Sequence, residues 1–277
     1  MTLGDTLTQL QRDGLDRLDA QMLLLMALGR NPHDRAWLIA HDDDALPTEV
    51  EAALGALTRR RLRGEPMAYL RGEQEFFGLV LKVDARVLVP RADTETLVHW
   101  ALEVADSVQR HARVLDLGTG SGAIALAIKA ARPELAVAAT DASDPALEVA
   151  RANAQRLGLA ITFGAGNWLA AVVGQSFDLI VSNPPYIAAE DQHLVALTHE
   201  PRAALSSGTD GLDDIRLLVT SAPQALVPGG WLLLEHGHDQ ASAVRSLLEA
   251  AGFAQVGSRT DLAGIERCSG GQWPLQR

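Results

Sequence analysis

The chain has 277 residues, of which 47% are hydrophobic, so it can bury a sizeable core and form one large domain plus a smaller one. Its 35 acidic and 24 basic residues give a formal net charge of -11, which argues against a protein whose affinity comes from wrapping nucleic-acid phosphates. Cys268 is the only cysteine, which excludes an intrachain disulfide and a thiolate metal cage. No run approaches the roughly 18 apolar residues of a membrane span. We therefore expect a cytoplasmic protein that binds neither nucleic acid nor membrane and holds no metal.

Residues 1–72 are predicted to form a small bundle of helices. Apolar residues recur at three- and four-residue steps from Leu15 to Met26 and so share one helical face. The Asn31-Pro32 pair suits the cap and first turn of the next helix, and a further helix is predicted from Pro47 to the basic group that ends at Arg63. Those arginines suit a solvated helix end or a docking patch. Nothing in this part of the chain has a catalytic pattern.

From Glu65 the helical pattern gives way to short β-like runs. Phe76-Phe77 and Val80–Val83 lie on either side of Gly78, which predicts a hairpin, and we assign residues 73–90 to a linker between two domains. A helix is then predicted to begin near Asp93.

Residues 91–277 are predicted to form an α/β domain, because short apolar runs alternate with helical patterns, as in a parallel sheet covered on both faces. The predicted strands are Arg113–Leu117, Leu135–Thr140, Ile161–Phe163, Leu179–Ser182, Trp231–Glu235, Ala254–Gly257 and Arg267–Gln272. Helices are predicted after Gly122, Pro145, Gly211 and Asp239. The connection from 187 to about 210 has little periodicity, which is typical of a functional or mobile loop.

A glycine-rich loop, Asp116–Gly122, follows the first of these strands and is followed at once by an apolar helix. Glycines at such a turn let the backbone approach a ligand closely. Gly118, Gly120 and Ala123 also fit the relaxed dinucleotide-binding pattern. The loop alone therefore predicts a nucleotide-like ligand without deciding which one.

Asp141 lies about 20 residues beyond the loop, at the end of the second predicted strand, where a ribose-binding acid is expected. NAD and S-adenosylmethionine both carry a ribose diol and an adenine, so Asp141 suits either one; a solvated loop acid is the alternative. Trp168 is predicted to wall the adenine site or to be a core aromatic residue. A dehydrogenase would also need an acid–base group and a hydride acceptor site, and the sequence offers no obvious candidate for either.

The segment Asn183-Pro184-Pro185-Tyr186 ends the apolar run Phe177–Ser182. Two consecutive prolines remove two N–H donors and hold the chain extended, so the Asn183 amide and the Pro184 carbonyl are left to seek partners outside the sheet. Tyr186 adds a flat face beside these acceptors. The group suits a planar substrate that carries an NH2, either an amide or the exocyclic amine of a base. A plain strand-ending turn is the alternative.

These motifs together resemble those of S-adenosylmethionine-dependent methyltransferases that act on amide or amino nitrogen. Other segments narrow the resemblance to the peptide chain release factor glutamine methyltransferases, the HemK-like (PrmC-like) family. Those segments are Ala68–Gly72, Phe76–Gly78, Val87–Glu95, Glu200–Leu205, Leu234–Gly237 and Asp261–Gly264. The chain departs from the family at Ala92, where proline is usual, and at His199, where an aromatic residue is common.

The resemblance implies a Rossmann-like methyltransferase domain with a seven-stranded, mostly parallel sheet, preceded by a helical bundle that docks the substrate protein. It implies methyl transfer from S-adenosylmethionine, without a metal, to the N5 amide nitrogen of the glutamine in the Gly-Gly-Gln motif of class I release factors. The implied cofactor contacts are Gly118, Thr119, Gly120, Ser121, Gly122, Asp141, Trp168 and Asn183. The implied substrate contacts are Asn183, Pro184, Pro185 and Tyr186, of which Asn183, Pro184 and Tyr186 are the expected catalytic residues.

Three other functions remain open from the sequence, of which the dehydrogenase discussed above is the third. A DNA or RNA adenine methyltransferase would use the same acceptors for the N6 amine of a flipped base, although the acidic composition argues against it. A nucleotide-binding adaptor that has kept the fold is the second. The chain also contains Gly270-Gly271-Gln272, which we interpret as a coincidence within its last predicted strand.

Overall fold

The computed structural model describes residues 1–107 and 111–275, which form two compact units, Met1–Gly72 and Glu73–Arg277. Residues 108–110 and the last two residues of the predicted catalytic domain lie outside the described part of the chain. In chain order the elements are α1 (Leu3–Arg12), α2 (Arg17–Ala27), α3 (Arg35–Ala40), α4 (Thr48–Leu62), α5 (Met67–Arg71), β1 (Glu73–Phe76), β2 (Leu79–Lys82), α6 (Glu95–Ser107), β3 (Arg113–Leu117), α7 (Ala123–Ala131), β4 (Ala136–Asp141), α8 (Asp144–Leu157), β5 (Thr162–Ala165), β6 (Phe177–Ser182), α9 (Asp213–Ser221), β7 (Leu226–Glu235), α10 (Ala241–Ala250), β8 (Ala254–Thr260) and β9 (Glu266–Gln272).

The N-terminal unit is helical, as predicted, and contains helices α1–α5. Its core is a leucine cluster in which Leu23, Leu24 and Leu25 of α2 are fully buried. Helix α1 begins with a capping box, since Thr2 accepts from the Asp5 N–H while the Asp5 carboxylate accepts from the Thr2 N–H.

Two details of this unit were predicted wrongly. Helix α3 begins at Arg35 and is capped by Asp34, whose side chain accepts from the Trp37 N–H, and not by Asn31. Asn31 instead closes a local turn, because its side chain accepts from the N–H of His33, two residues on. The β-like pattern assigned from Glu65 also begins too early, because Met67–Arg71 forms the short helix α5.

A β-hairpin follows, and it belongs to the second unit. Strands β1 and β2 pair antiparallel, with Glu73 opposite Lys82 and Phe76 opposite Leu79. This confirms the predicted hairpin. One face is apolar, since Phe76 and Leu81 are almost completely buried.

The second unit is built on a seven-stranded sheet with the order β5-β4-β3-β6-β7-β9-β8 among the described residues. Strands β5, β4, β3, β6 and β7 run parallel to one another, and β9 runs antiparallel to both of its neighbours, β7 and β8. The expected mostly parallel α/β sheet is therefore confirmed.

Helices cover both faces of the sheet because successive strand residues point to opposite sides. Val114 and Leu179 belong to an apolar cluster with α6 and α7, whereas Leu115 and Ile180 belong to a cluster with α9 and α10. Burial on both faces explains why these strands have continuous apolar sequences. Within residues 1–107 and 111–275, no helix has the length and apolar character of a membrane span.

The Gly270-Gly271-Gln272 sequence lies in β9, paired with β7 and β8. A Cβ atom on Gly270 would lie 2.5 Å from Leu233 Cδ2 and 2.6 Å from the Leu232 carbonyl oxygen. Close packing against β7 thus accounts for the glycine at this position.

We predict that Gly270→Ala lowers the free energy of unfolding by about 3 kcal/mol, because the added methyl group overpacks a site bounded by backbone. The matched control is Gly257→Ala, since Gly257 lies opposite Gly270 on β8 and a Cβ there meets nothing within 4 Å. Urea unfolding of both variants measures the difference. Equal stability of the two variants would contradict the packing account.

Candidate active site

A cavity of about 510 Å³ lies at the carboxyl ends of the parallel strands. Ligands in open α/β sheets bind at this edge. The residues that line the cavity are Arg86, Val87, Leu88, Gly118, Gly120, Asp141, Ala142, Ser143, Ala146, Gly166, Asn167, Trp168, Asn183, Pro185, Pro201, Ala203, Ala204 and Asp214.

Strand register brings the cavity residues together. Leu117 at the end of β3 pairs with Thr140 of β4 on one side and with Ser182 of β6 on the other. The Ser182 hydroxyl also donates to the Leu117 carbonyl at 2.7 Å. The glycine loop, Asp141 and Asn183 therefore leave the sheet at one level.

The glycine loop is held by bonds within the protein. The N–H groups of Gly118 and Thr119 both donate to the Thr140 carbonyl oxygen. The Gly122 N–H donates to the Thr119 carbonyl oxygen, and the Gly120 N–H donates to the Asp141 carboxylate. Gly118, Gly120 and Gly122 have φ values of 71°, 55° and 86°, which favour glycine. These four backbone N–H groups therefore donate within the protein, whereas a pyrophosphate would need such groups as donors. The loop thus suits a ligand without a pyrophosphate better than a dinucleotide.

Asp141 organises the loop as well as lining the cavity. One carboxylate oxygen accepts from the Gly120 N–H at 2.9 Å, and the other accepts from the Ser143 N–H at 2.8 Å. Each oxygen has a second lone pair, so the carboxylate can still accept from two ligand hydroxyl groups.

Beneath the loop lies a second acid, Asp116, which is fully buried. Its Oδ2 accepts from the Thr119 hydroxyl at 2.6 Å and from the Ala125 N–H at 3.2 Å, while Oδ1 has no partner among the described residues. Burial raises the pKa of Asp116 to about 7, although the hydrogen bonds from Thr119 and Ala125 act to lower it. Asp116 therefore supports the loop from below.

Trp168 forms one wall of the cavity. Its ring would lie 3.3 Å from a Cβ atom on Gly118, so a side chain at 118 would push the ring away. The indole N–H donates to Asp214 at 3.2 Å, and Trp168 has a φ of 51°, which is unusual for a bulky residue. Asp214 was not predicted to be in the site because acids in the first turn of a helix are common.

Asn183 lines the cavity beside the loop, and its Nδ2 donates to Thr94 Oγ1 at 3.3 Å. With the nitrogen bonded to Thr94, Oδ1 is the end of the amide that can accept from a ligand. Tyr186 packs against the apolar cluster of α9 and α10, and its hydroxyl donates to Glu235 Oε1 at 3.2 Å. Burial raises the pKa of the Tyr186 phenol.

Two chain segments close one side of the cavity, and Glu200 joins them. Glu200 is buried; its Oε2 accepts from the Val89 N–H at 3.0 Å, and its Oε1 pairs with the Arg91 guanidinium. The segments around Val87 and Pro201 thus both reach the cavity. Val89 and Glu200 are 111 residues apart in the sequence, so no local pattern reveals that these two segments meet.

The predicted site residues fall into two groups. Gly118, Gly120, Asp141, Trp168, Asn183 and Pro185 line the cavity. The others do not line it: Thr119 and Ser121 are buried residues of the loop itself, Gly122 packs at the start of α7, Pro184 is buried, and Tyr186 bonds to Glu235.

The chain matches two family models. The "Methyltransferase small domain" model matches residues 95–255, which is more than half of the chain, and the "PrmC N-terminal domain" model matches residues 4–72.

Curated relatives match over nearly the whole chain. The "Release factor glutamine methyltransferase" of Bordetella pertussis is 52% identical over 261 residues, covering 93% of this chain and 95% of the relative. The protein of the same name from Xylella fastidiosa strain Temecula1 is 50% identical, covering 94% of each. Among solved structures, a methyltransferase from Pyrococcus furiosus is 19% identical with a TM-score of 0.55, covering 80% of this chain and 100% of that one. At 19% identity, this structural similarity shows a shared fold.

We predict that Asp116→Asn changes how stability depends on pH. Because the pKa of Asp116 is raised in the folded protein, the stability associated with its protonated form is present below the unfolded pKa of 3.8 and is lost as the pH rises toward 7. Asparagine has no such titration. Urea unfolding between these pH values should therefore show a smaller fall in stability for Asp116→Asn than for the wild type, and equal falls would contradict the assignment.

Proposed function

Because the chain belongs to the release factor glutamine methyltransferase family, we propose that it transfers a methyl group from S-adenosylmethionine to the N5 amide nitrogen of the glutamine in the Gly-Gly-Gln motif of peptide chain release factors. The observation that carries the proposal is the Asn183 amide. It lies at the cavity with its nitrogen bonded to Thr94, so its oxygen is available to a substrate NH2 group.

The cavity residues fit S-adenosylmethionine. Gly120 lines the cavity, and a Cβ atom there would meet nothing within 4 Å, so the glycine leaves this wall open to a ligand. Asp141 would accept from the ribose hydroxyls, and Trp168 would lie against the adenine. The carboxylates of Asp141 and Asp214 line the cavity and suit a ligand that carries a positive charge. The N–H groups of the glycine loop donate within the protein, which suits a ligand that lacks phosphate. When bound, S-adenosylmethionine supplies an electrophilic methyl group.

The substrate amide needs positioning because its nitrogen lone pair is delocalised into the carbonyl. Asn183 Oδ1 and the Pro184 carbonyl would each accept one N–H of the glutamine amide and so aim its nitrogen into the cavity. Tyr186 would pack beside the amide plane, held by its bond to Glu235. Catalysis then rests on orientation, and the nitrogen can lose its proton to water after transfer.

We assign the N-terminal unit to docking of the substrate protein. Every described residue that lines the cavity belongs to the second unit, so the role of Met1–Gly72 lies outside the cofactor chemistry. The net charge of -11 favours a protein substrate over nucleic acid, which would otherwise present an adenine amine to the same acceptors.

Incubation with labelled S-adenosylmethionine tests the proposal directly. We expect mass spectrometry to locate one added methyl group on the glutamine of the Gly-Gly-Gln motif when a purified release factor is supplied. DNA and RNA carrying unmethylated adenine are the parallel substrates. Labelling of adenine but not of the release factor would overturn the proposal, as would cofactor binding without transfer to any substrate.

We predict that Asn183→Ala lowers kcat by about a hundredfold, because loss of one acceptor misaligns the amide. Affinity for S-adenosylmethionine, measured by calorimetry, should change far less. The control is Gln175→Ala, which truncates a side-chain amide just before β6, at the opposite edge of the sheet. A wild-type rate of methyl transfer in Asn183→Ala would contradict the assigned role.

A further inference from the structure

Gln240, which lies outside the predicted site and directly precedes α10, binds three chain segments at once. Its side-chain NH2 donates to the Tyr186 carbonyl at 3.0 Å and to the Asp210 carbonyl at 3.2 Å. Its side-chain oxygen accepts from the Gly237 N–H at 2.8 Å. Two carbonyls and one N–H as partners permit only this orientation of the amide, and both of its protons are used.

The glycine at position 211 makes room for the contact with Tyr186. A Cβ atom on Gly211 would overlap the Tyr186 carbonyl oxygen and would lie 2.8 Å from Gln240 Nε2. Gly211 also has a φ of 76°, a backbone conformation that favours glycine. The Tyr186 carbonyl therefore lies against both the Gly211 backbone and the Gln240 amide.

The contact matters because it holds the second end of a short, stiff segment. The first end, Ser182, is held in β6 by pairing with β3 and β7. Between the two ends, Pro184 and Pro185 have nearly fixed φ angles, and a residue that precedes a proline is confined to extended conformations. With Ser182 and Tyr186 both held, the Pro184 carbonyl has little freedom to move.

Gln240 also binds both ends of the long connection from 187 to about 210. Tyr186 lies just before this connection and Asp210 at its end, and one side chain bonds to both carbonyls. The two arms of the connection pair with each other as well, since Ile187 and Ser206 form a bridge. The bonds to Gln240 attach this paired base to the start of α10.

Helix α10 gives Gln240 a fixed position. Val244 and Leu248 of this helix are fully buried in the apolar cluster of α9 and α10. The Gln240 carbonyl accepts from the Val244 N–H at 3.0 Å, and the Gln240 N–H donates to the Gly237 carbonyl at 3.0 Å. The backbone of Gln240 is thus held on both sides, and its side chain reaches out to the connection.

We propose that Gln240 is a positioning residue that holds the Pro184 carbonyl, through Tyr186, at the place where it accepts one N–H of the substrate amide. Gln240 does not line the cavity, so its effect reaches the substrate through the backbone that it binds. This inference rests on the proposed function and identifies the side chain that fixes the second acceptor beside Asn183.

Two substitutions of Gln240 test the proposal. Gln240→Met keeps a similar length and removes all three hydrogen bonds, whereas Gln240→Glu keeps the shape and, when ionised, can donate to neither carbonyl. The matched controls are Gln272→Met and Gln272→Glu. Gln272 is likewise half-buried and donates to a backbone carbonyl, that of Gly229, at 2.9 Å. It ends β9 opposite Trp231, toward the amino ends of the parallel strands, and does not line the cavity.

Assays of release factor methylation give kcat and KM, and calorimetry gives the affinity for S-adenosylmethionine. We expect Gln240→Met to lower kcat about tenfold, because the acceptor carbonyl is no longer held in place. Its affinity for S-adenosylmethionine should stay within about twofold of the wild type, and both Gln272 variants should keep kcat within about twofold.

The pH profile of Gln240→Glu separates a hydrogen-bonding role from a packing role. Protonation gives the introduced carboxyl group one O–H donor, which can bond to one of the two carbonyls. We therefore expect the ratio of kcat in Gln240→Glu to kcat in the wild type to rise as the pH falls from about 8 to about 5. The same ratio for Gln240→Met should stay constant. The ionisable neighbours Asp210, His238 and Asp239 are present in both proteins, so their titration cancels in the ratio.

The outcomes separate this inference from the proposed function. A wild-type chain that methylates no release factor overturns both. If the wild type is active, the inference alone fails when Gln240→Met keeps wild-type kcat, when the Gln272 variants lose as much activity, or when the kcat ratio of Gln240→Glu does not change with pH. A kcat loss that tracks a lowered melting temperature or a weakened cofactor affinity also overturns it, because that pattern indicates a structural role.

Discussion

The alignment of three parallel strand ends is the constraint on which the site depends. Leu117 of β3 lies between Thr140 of β4 and Ser182 of β6, and the Ser182 hydroxyl bonds back to the Leu117 carbonyl. A shift of one residue in either pairing would turn every side chain of that strand to the opposite face of the sheet and move its loop along the edge. Since both faces are covered by apolar helices, the register is strongly specified. The same burial that stabilises the sheet therefore places the site.

Hydrogen bonds then fix the loops that leave this edge. The glycine loop is held within the protein by bonds to the Thr140 carbonyl and to the Asp141 carboxylate. Such preorganisation lowers the entropic cost of binding, because the ligand does not have to order the loop. Catalysis by orientation depends on this rigidity, since small displacements of an acceptor reduce the rate strongly.

Two buried carboxylates mark the places where the protein holds a loop at a cost in stability. Asp116 lies under the glycine loop and Glu235 under the segment that follows β6, and burial raises the pKa of each to about 7. Each also has one oxygen without a partner among the described residues. Unsatisfied buried groups of this kind are unfavourable for folding. Their concentration beneath the candidate site is consistent with functional positioning.

The sequence by itself determined the secondary structure of the sheet domain and six of the residues that line the cavity. Buried parallel strands have continuous apolar runs, and the motifs at Gly118, Asp141 and Asn183 directly follow such runs, so local pattern was sufficient. Local pattern misplaced the start of α3, because Asn31 and Asp34 are both good capping residues and only the observed turn distinguishes them.

Only the tertiary structure decided which distant side chains meet behind those motifs. Thr94 contacts Asn183 across 89 residues, Glu235 contacts Tyr186 across 49, and Glu200 contacts Val89 across 111. A single sequence carries no signal for such pairs, because each residue satisfies its local role as a helix-start, strand or loop residue equally well without its partner. The partners are set by the order of strands in the sheet, which is a property of the whole fold.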